Sequence, residues 1–219
     1  MKLARLHKQA NHEPYWHVHL ILLAAVGLEL SLSNKVTIIS PVIIASLEGL
    51  LLASLTFSIH IREHSSTSLR RSLAICLIAF ISIANASSLF LVVKELISGK
   101  RVSGKELILS ALAIYLTNII IFGLWYWELD NHPFRQSSEN ETVDFLFPQM
   151  TSGDEVPALR NWNPTFLDYL YVSVTNASAF SPTDTMPLTH RAKTLMGLQS
   201  TVSFVTVALV AARAVNILS

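Results

Sequence analysis

Five stretches of the chain are charge-free or nearly so: Val18 to Ser33, Val36 to His60, Leu73 to Val93, Leu107 to Trp127 and Thr194 to Leu218. A bilayer core about 30 Å thick takes roughly 20 apolar residues of helix. The second, fourth and fifth stretches reach that length unaided, and the first is the shortest. Backbone groups in hydrocarbon must be hydrogen-bonded within their own segment, so each stretch predicts a helix and not a strand. The expected fold is all-α and polytopic. The first stretch follows Lys2, Arg5 and Lys8 and ends on Ser31-Leu32-Ser33, which gives it a faint likeness to a signal peptide. Its long leader, with Glu13 and three histidines, favours a helix.

Between the fourth and fifth stretches lies the one long polar segment, Leu129 to Lys193. Residues 130 to 163 have turn and loop composition, with Asn131, Pro133, Pro148, Gly153 and Pro157. From Asp130 to Asp184 the chain carries eight acids (Asp130, Glu139, Glu141, Asp144, Asp154, Glu155, Asp168, Asp184) and two bases, Arg135 and Arg160. Such a segment is either a solvated loop or an acidic vestibule that concentrates cations by field focusing. At Trp162-Asn163-Pro164 an N-cap followed by proline predicts a helix start. The aromatic segment Thr165 to Val174 is half a membrane long, and the polar run Thr175 to Asp184 predicts irregular chain. A half-helix, an irregular polar stretch and then a full apolar helix read as a re-entrant loop, which needs cover from protein or water.

Composition narrows the classes. Hydrophobic residues make up 51% and charged residues 14% of the 219, against about 25% charged in soluble domains. Net charge is +1, so bulk basicity for nucleic acid is excluded. The single cysteine, Cys76, excludes an internal disulfide and any multi-cysteine metal site. No Gly-rich phosphate loop, HExxH or GxSxG pattern occurs, so no enzyme activity and no cofactor are expected.

The block from Thr165 to Leu218, TFLDYLYVSVTNASAFSPTDTMPLTHRAKTLMGLQSTVSFVTVALVAARAVNIL, resembles the pore module of tetrameric potassium-channel-like proteins. In that module a pore helix, a filter, an Asp, a Pro-x-Thr step and a basic position lead into an inner helix. Here Asp184, Pro187, Thr189 and Arg191 or Lys193 stand in that order, with Thr194 to Leu218 in the inner-helix place. The whole chain also resembles a bacterial family of small integral membrane proteins. Trp125-Tyr126-Trp127-Glu128-Leu129-Asp130 and Asp144-Phe145-Leu146-Phe147-Pro148-Gln149-Met150 contribute to that likeness. The resemblance implies a homotetramer in the bacterial inner membrane, with the lipid bilayer and monovalent cations as partners. It implies filter-like roles for Thr175, Asn176, Ser178, Phe180, Ser181, Thr183 and Asp184. One departure matters: potassium filters are rings of backbone carbonyls whose shape depends on glycine, and no glycine lies between Gly153 and Gly197. A constriction here would be lined by side chains and weakly selective.

In the last helix Gln199, Ser203, Thr206, Val210 and Arg213 recur at helical spacing and share one face. That face either lines a path or bonds to neighbouring helices, and Arg213 is near enough to the helix end to snorkel. Glu48 lies in mid-helix in the second stretch, an ion- or proton-ligand candidate or a packing residue, with Asn85 and Asn118 as candidate partners. His17, His19, His60 and His64 fall on one side of the membrane and are weak metal candidates.

The expected organisation is a three-helix region, residues 1–105, followed by a pore-type module, 106–219. Within the module are an outer helix 107–127, an acidic loop 128–163, a hairpin 164–187 and an inner helix 190–218. A short sixth span at Phe166 to Ser181 is the alternative to re-entry. Two arguments on orientation disagree. A hairpin entering from outside, as the resemblance implies, puts the N-terminus outside. The basic residues favour it inside, six (Lys2, Arg5, Lys8, Arg62, Arg70, Arg71) against four (Lys35, Lys100, Arg101, Lys105). The functional expectation is a weakly selective cation path. A non-conducting scaffold or partner subunit, and a transporter working through Glu48, are the alternatives.

Overall fold

The computed structural model describes residues 16–32, 36–38, 40–60, 67–98, 103–130, 143–152, 156–159, 162–181 and 184–218. The chain order is α1 (Trp16–Leu30), α2 (Pro41–His60), α3 (Thr67–Ser98), α4 (Gly104–Asp130), β1 (Phe145–Leu146), the single turn α5 (Pro148–Thr151), α6 (Phe166–Ala179), β2 (Met186–Pro187) and α7 (His190–Leu218). The fold is mostly helical. Among the described residues three segments, Arg71–Ile97, Gly104–Asp130 and His190–Arg213, are long and apolar enough to cross a membrane. The expectation of five spans is met in these three, while α1 and α2 contain the shorter apolar helices Leu20–Leu30 and Pro41–Leu50.

Helix starts follow local chemistry. Proline stands at the first position of α2, where its missing N–H costs nothing. At α4 the Ser103 hydroxyl accepts from Glu106 N–H while Ser103 N–H donates to Glu106 Oε2, at 3.2 and 3.1 Å, a reciprocal capping box. At α6 the cap is Thr165 and not Asn163, a correction to the expected start. Thr165 N–H and its hydroxyl both donate to Asp168 Oδ2 at 2.7 Å, a satisfaction Asn163 lacks the spacing to provide. The end of α6 also differs from expectation. The helix continues through Thr175, Asn176 and Ser178 to Ala179, because the Thr175 and Ser178 hydroxyls donate to the Tyr171 and Val174 carbonyls one turn back.

Helix α4 is the hub. It packs against α1, α3, α6 and α7, and α1 to α4 close a ring of neighbours in which α2 lies between α1 and α3. The outer faces carry large apolar residues such as Leu20, Val42, Leu50, Ile83, Phe90, Leu109 and Phe204, all exposed. Buried positions include Glu29, Glu48, Asn85, Asn118, Asn176 and Gln199. A soluble protein rarely presents such an exterior; polar groups inside and apolar groups outside suit a lipid surround.

The α4–α6 contact is closest at Gly123, where an added Cβ would meet the Leu170 Cα and Cδ1 at 3.2 Å. Gly123→Leu is expected to lower stability by about 1–3 kcal/mol through overpacking. Gly27→Ala, at a position with open space, should instead gain up to about 1 kcal/mol of helix propensity. Thermal melts of the purified protein in detergent check both.

Candidate functional site

The residues that hold α6 in place form a closed buried network with Gln199 at its centre. Gln199 Nε2 donates to the Ser173 carbonyl at 2.9 Å and to Ser173 Oγ at 2.6 Å. Its Oε1 accepts from Tyr126 Oη at 2.5 Å and from Asn176 Nδ2 at 2.8 Å. Asn176 Nδ2 also donates to the Met196 carbonyl at 3.0 Å, and its Oδ1 accepts from Ser200 Oγ at 3.1 Å. Ser173 Oγ in turn donates to the Ile119 carbonyl at 2.6 Å. One turn further along α7, Ser203 Oγ accepts from Asn118 Nδ2 at 2.9 Å. Both amide hydrogens and both lone pairs of Gln199 are thus used, and α4, α6 and α7 are joined without an unpaired atom at the centre.

The contacts also set levels along the helices. Tyr169 Oη in the first turns of α6 donates to Asp130 Oδ2 at the end of α4, at 2.5 Å. Ser178, near the end of α6, lies 3.4 Å from the Tyr115 hydroxyl, which is close to the middle of α4. Phe180 stacks edge-on against Phe204, with ring centroids 5.7 Å apart, midway along α7. Helix α6 therefore runs from one end of α4 to its middle, about 21 Å for its 14 residues.

The chain then returns. β2 pairs antiparallel with β1, Phe145 opposite Pro187 and Leu146 opposite Met186, and the Phe145 ring packs on Tyr126 and Tyr169. Six residue steps lead from Phe180 to Met186, at most about 22 Å of chain. Phe180 makes the reversal, with φ 56° and ψ 23°. A left-handed residue other than glycine costs about 1–2 kcal/mol, and its ring contact with Phe204 offsets part of that.

Acids of the polar segment anchor the mouth of this hairpin. Asp130 Oδ1 accepts from Asp144 N–H at 3.0 Å. Asp144 accepts from the Thr189 hydroxyl through its carboxylate and from Leu188 N–H through its carbonyl. Thr189 also caps α7, its Oγ1 accepting from Ala192 N–H at 3.3 Å. Asp130, Asp144 and Asp168 are thus hydrogen-bonded parts of the framework, while Asp184 is exposed. Glu139, Glu141, Asp154 and Glu155 lie outside the described residues.

The expected filter-like residues separate into groups. Thr175, Asn176 and Ser178 are on α6 and not in irregular chain, and Asn176 is buried in the network. Ser178, Phe180 and Ser181 are exposed at the hairpin tip, and Thr183 lies outside the described residues. Gln199, Ser203 and Thr206 are almost wholly buried within the chain; Gln199 and Ser203 bond to neighbouring helices, while the Thr206 hydroxyl donates to the Val202 carbonyl of α7 itself. Arg213 sits in a groove with Val92, Leu96, Leu107 and Leu209. Glu48 is buried, and Asn118 bonds to Ser203 on the α7 side. The side chains of His17, His19 and His60, and all of His64, lie outside the described residues. Among the described residues no group of three or more His, Cys, Asp or Glu is placed to hold a metal ion.

Sequence reasoning missed Tyr126 as a network member, Ser173 and Glu29. A polar hydroxyl two residues after Tyr171 gives no signal of its own; Glu29, an acid in an apolar run, does. No family model, curated protein or solved structure matches this chain.

Truncating the network centre tests its structural role. Gln199→Ala should cost about 2–4 kcal/mol, from the cavity and from the unpaired Asn176, Ser173 and Tyr126 groups. Tyr126→Phe should cost only about 1 kcal/mol. Chemical denaturation in detergent checks the ranking.

Proposed function

We propose that this chain is the subunit of a homo-oligomeric, weakly selective cation path in a cell membrane, which it crosses several times. The observation that carries the reading is the half-length helix α6 and the chain reversal at Phe180 that ends it. Irregular backbone at membrane depth must be covered by protein or by a water-filled path, yet Ser178, Ala179, Phe180 and Ser181 are exposed on a single chain. Copies arranged around an axis would cover this tip and bring their Ser181 and Asp184 side chains together. Closed rotational symmetry is the usual solution for such an assembly, and the resemblance to tetrameric pore modules makes the number four.

In this reading the buried network sets the position of the tip and does not line the path. The inner path is lined instead by the opposite face of α7, where Thr201, Phe204, Ala208 and Ala211 are exposed. Asp184, exposed on the return leg just before β2, raises the local cation concentration at the mouth. Lining side chains replace the carbonyl rings of a potassium filter, so discrimination among monovalent cations is weak.

One observation favours a second reading, a non-conducting scaffold. The polar network is satisfied within one chain, so the hairpin is stable without a permeant ion.

Ion flux into liposomes separates the two. Wild type is expected to pass several monovalent cations. Asp184→Asn should lower the flux roughly tenfold at low salt and less at high salt, and Ser181→Ala should alter the order of ion preference. No flux above empty liposomes, from a folded oligomer and across several ions, would sink the pore reading and leave the scaffold.

A further inference from the structure

Glu29 on α1 and Glu48 on α2 are fully buried, and none of their carboxylate oxygens has a hydrogen-bond partner. The two lie within electrostatic reach of each other. Their surroundings follow from the apolar side chains on either side. One buried cluster joins Leu22 of α1 to Leu77, Ile78 and Ile81 of α3 and to Ile121 and Leu124 of α4. Another joins Leu32 and Val36 to Leu89 and Val92 of α3 and to Leu107, Ala113 and Ile114 of α4.

Between these clusters is a polar layer. On α1 the residue between Leu22 and Leu32 that is buried and charged is Glu29. On α3 the residues between Ile81 and Leu89 include Asn85 and Ser88, which are 3% and 1% exposed. Asn85 Oδ1 and Ser88 Oγ are also buried without a partner. Glu48 reaches the same layer from α2, which packs between α1 and α3.

The unpartnered atoms are all oxygens able to accept, and they come from three helices. Acceptors buried without donors are costly, and buried carboxylates more so. Among the residues whose side chains are described, the bases lie elsewhere. Arg71 pairs with Glu128 at 2.8 Å; Lys94, Lys105, Arg191 and Lys193 are exposed. Arg213, whose Nε is itself buried without a partner, lies against Val92, Leu96 and Leu107 of the second cluster and not against the polar layer. A set of buried oxygens that no described base meets points to a bound cation.

We propose that this layer is an alkali-cation site, in which oxygens of Glu29, Glu48, Asn85 and Ser88 surround one dehydrated monovalent ion. One carboxyl keeps its proton, so ion and site together are neutral. The donor set is hard oxygen with no thiolate or imidazole, which disfavours zinc and copper. It lacks the additional carboxylates typical of calcium cages, and magnesium sheds its water reluctantly. The site is separate from the α6 tip and does not rest on the pore reading.

The test is the melting temperature of the full chain in detergent, with sodium or potassium chloride replacing choline chloride at constant ionic strength and pH. Wild type should show a saturable rise with one or both alkali ions, as ligand linkage requires. Glu29→Gln and Glu48→Gln should abolish the rise, and Lys94→Gln, at an exposed position of α3, should retain it. Should the glutamine variants fail to fold, equilibrium binding of radiolabelled sodium and potassium to wild type decides, with one ion per chain expected. No saturable effect or binding in wild type overturns the proposal. So does an unchanged rise in both folded glutamine variants, or a response to calcium or magnesium alone.

Discussion

The carboxamide of Gln199 must find four partners in a place where water supplies none, and meeting that requirement positions much of the C-terminal half. Its hydrogens go to Ser173, and its oxygen accepts from Tyr126 and Asn176. Since an unpaired buried polar group costs about 1–3 kcal/mol, α6 cannot slide by a turn without forfeiting several such bonds at once. The register of α6 against α4 and α7 follows, and with it the level at which the chain reverses at Phe180. Gly123 permits the close approach that these bonds need.

At the other end of α6 a second set of contacts closes the hairpin. Asp130 binds Tyr169 and the Asp144 backbone, and Asp144 binds Thr189, the cap of α7. Around them Tyr126, Phe145, Phe147 and Tyr169 pack as a buried aromatic cluster. The short β1–β2 pairing is therefore held by side chains on both sides, and the return leg is fixed at its two ends, Phe180 on Phe204 and Met186 on Leu146.

The two buried polar centres differ in one physical respect. Around Gln199 donors and acceptors balance, so the centre needs nothing more and acts as a clamp. Around Glu29 and Glu48 the buried oxygens lack partners, and the proposed cation is what completes that centre. Both lie within a bundle whose exterior is apolar. The contrast separates a polar group retained for packing from one that calls for a ligand, a distinction that burial alone does not draw.

The lengths of the apolar stretches, readable residue by residue, were enough to foresee a helical chain with a half-length helix before the last one, because hydrocarbon leaves the backbone few alternatives. Spacing also showed that Gln199, Ser203, Thr206 and Arg213 share a face, since a helical period fixes which residues are neighbours on their own helix. It could not show what that face meets, and Gln199, Ser203 and Thr206 are turned into the chain. Glu48 stood out as an acid in an apolar run, whereas its pairing with Glu29 depends on α1 and α2 lying side by side. Asn118, a candidate partner for Glu48 by depth, bonds to Ser203 on the side of α4 that faces α7. The end of α6 was placed too early because Thr, Asn and Ser read as loop formers in isolation. Here Thr175 and Ser178 satisfy their hydroxyls on the helix's own carbonyls and Asn176 finds α7, so the helix continues. Helix periodicity is a local property carried by neighbouring residues, but the partner of a buried polar group is set by how helices distant in sequence pack, and only the folded chain supplies that.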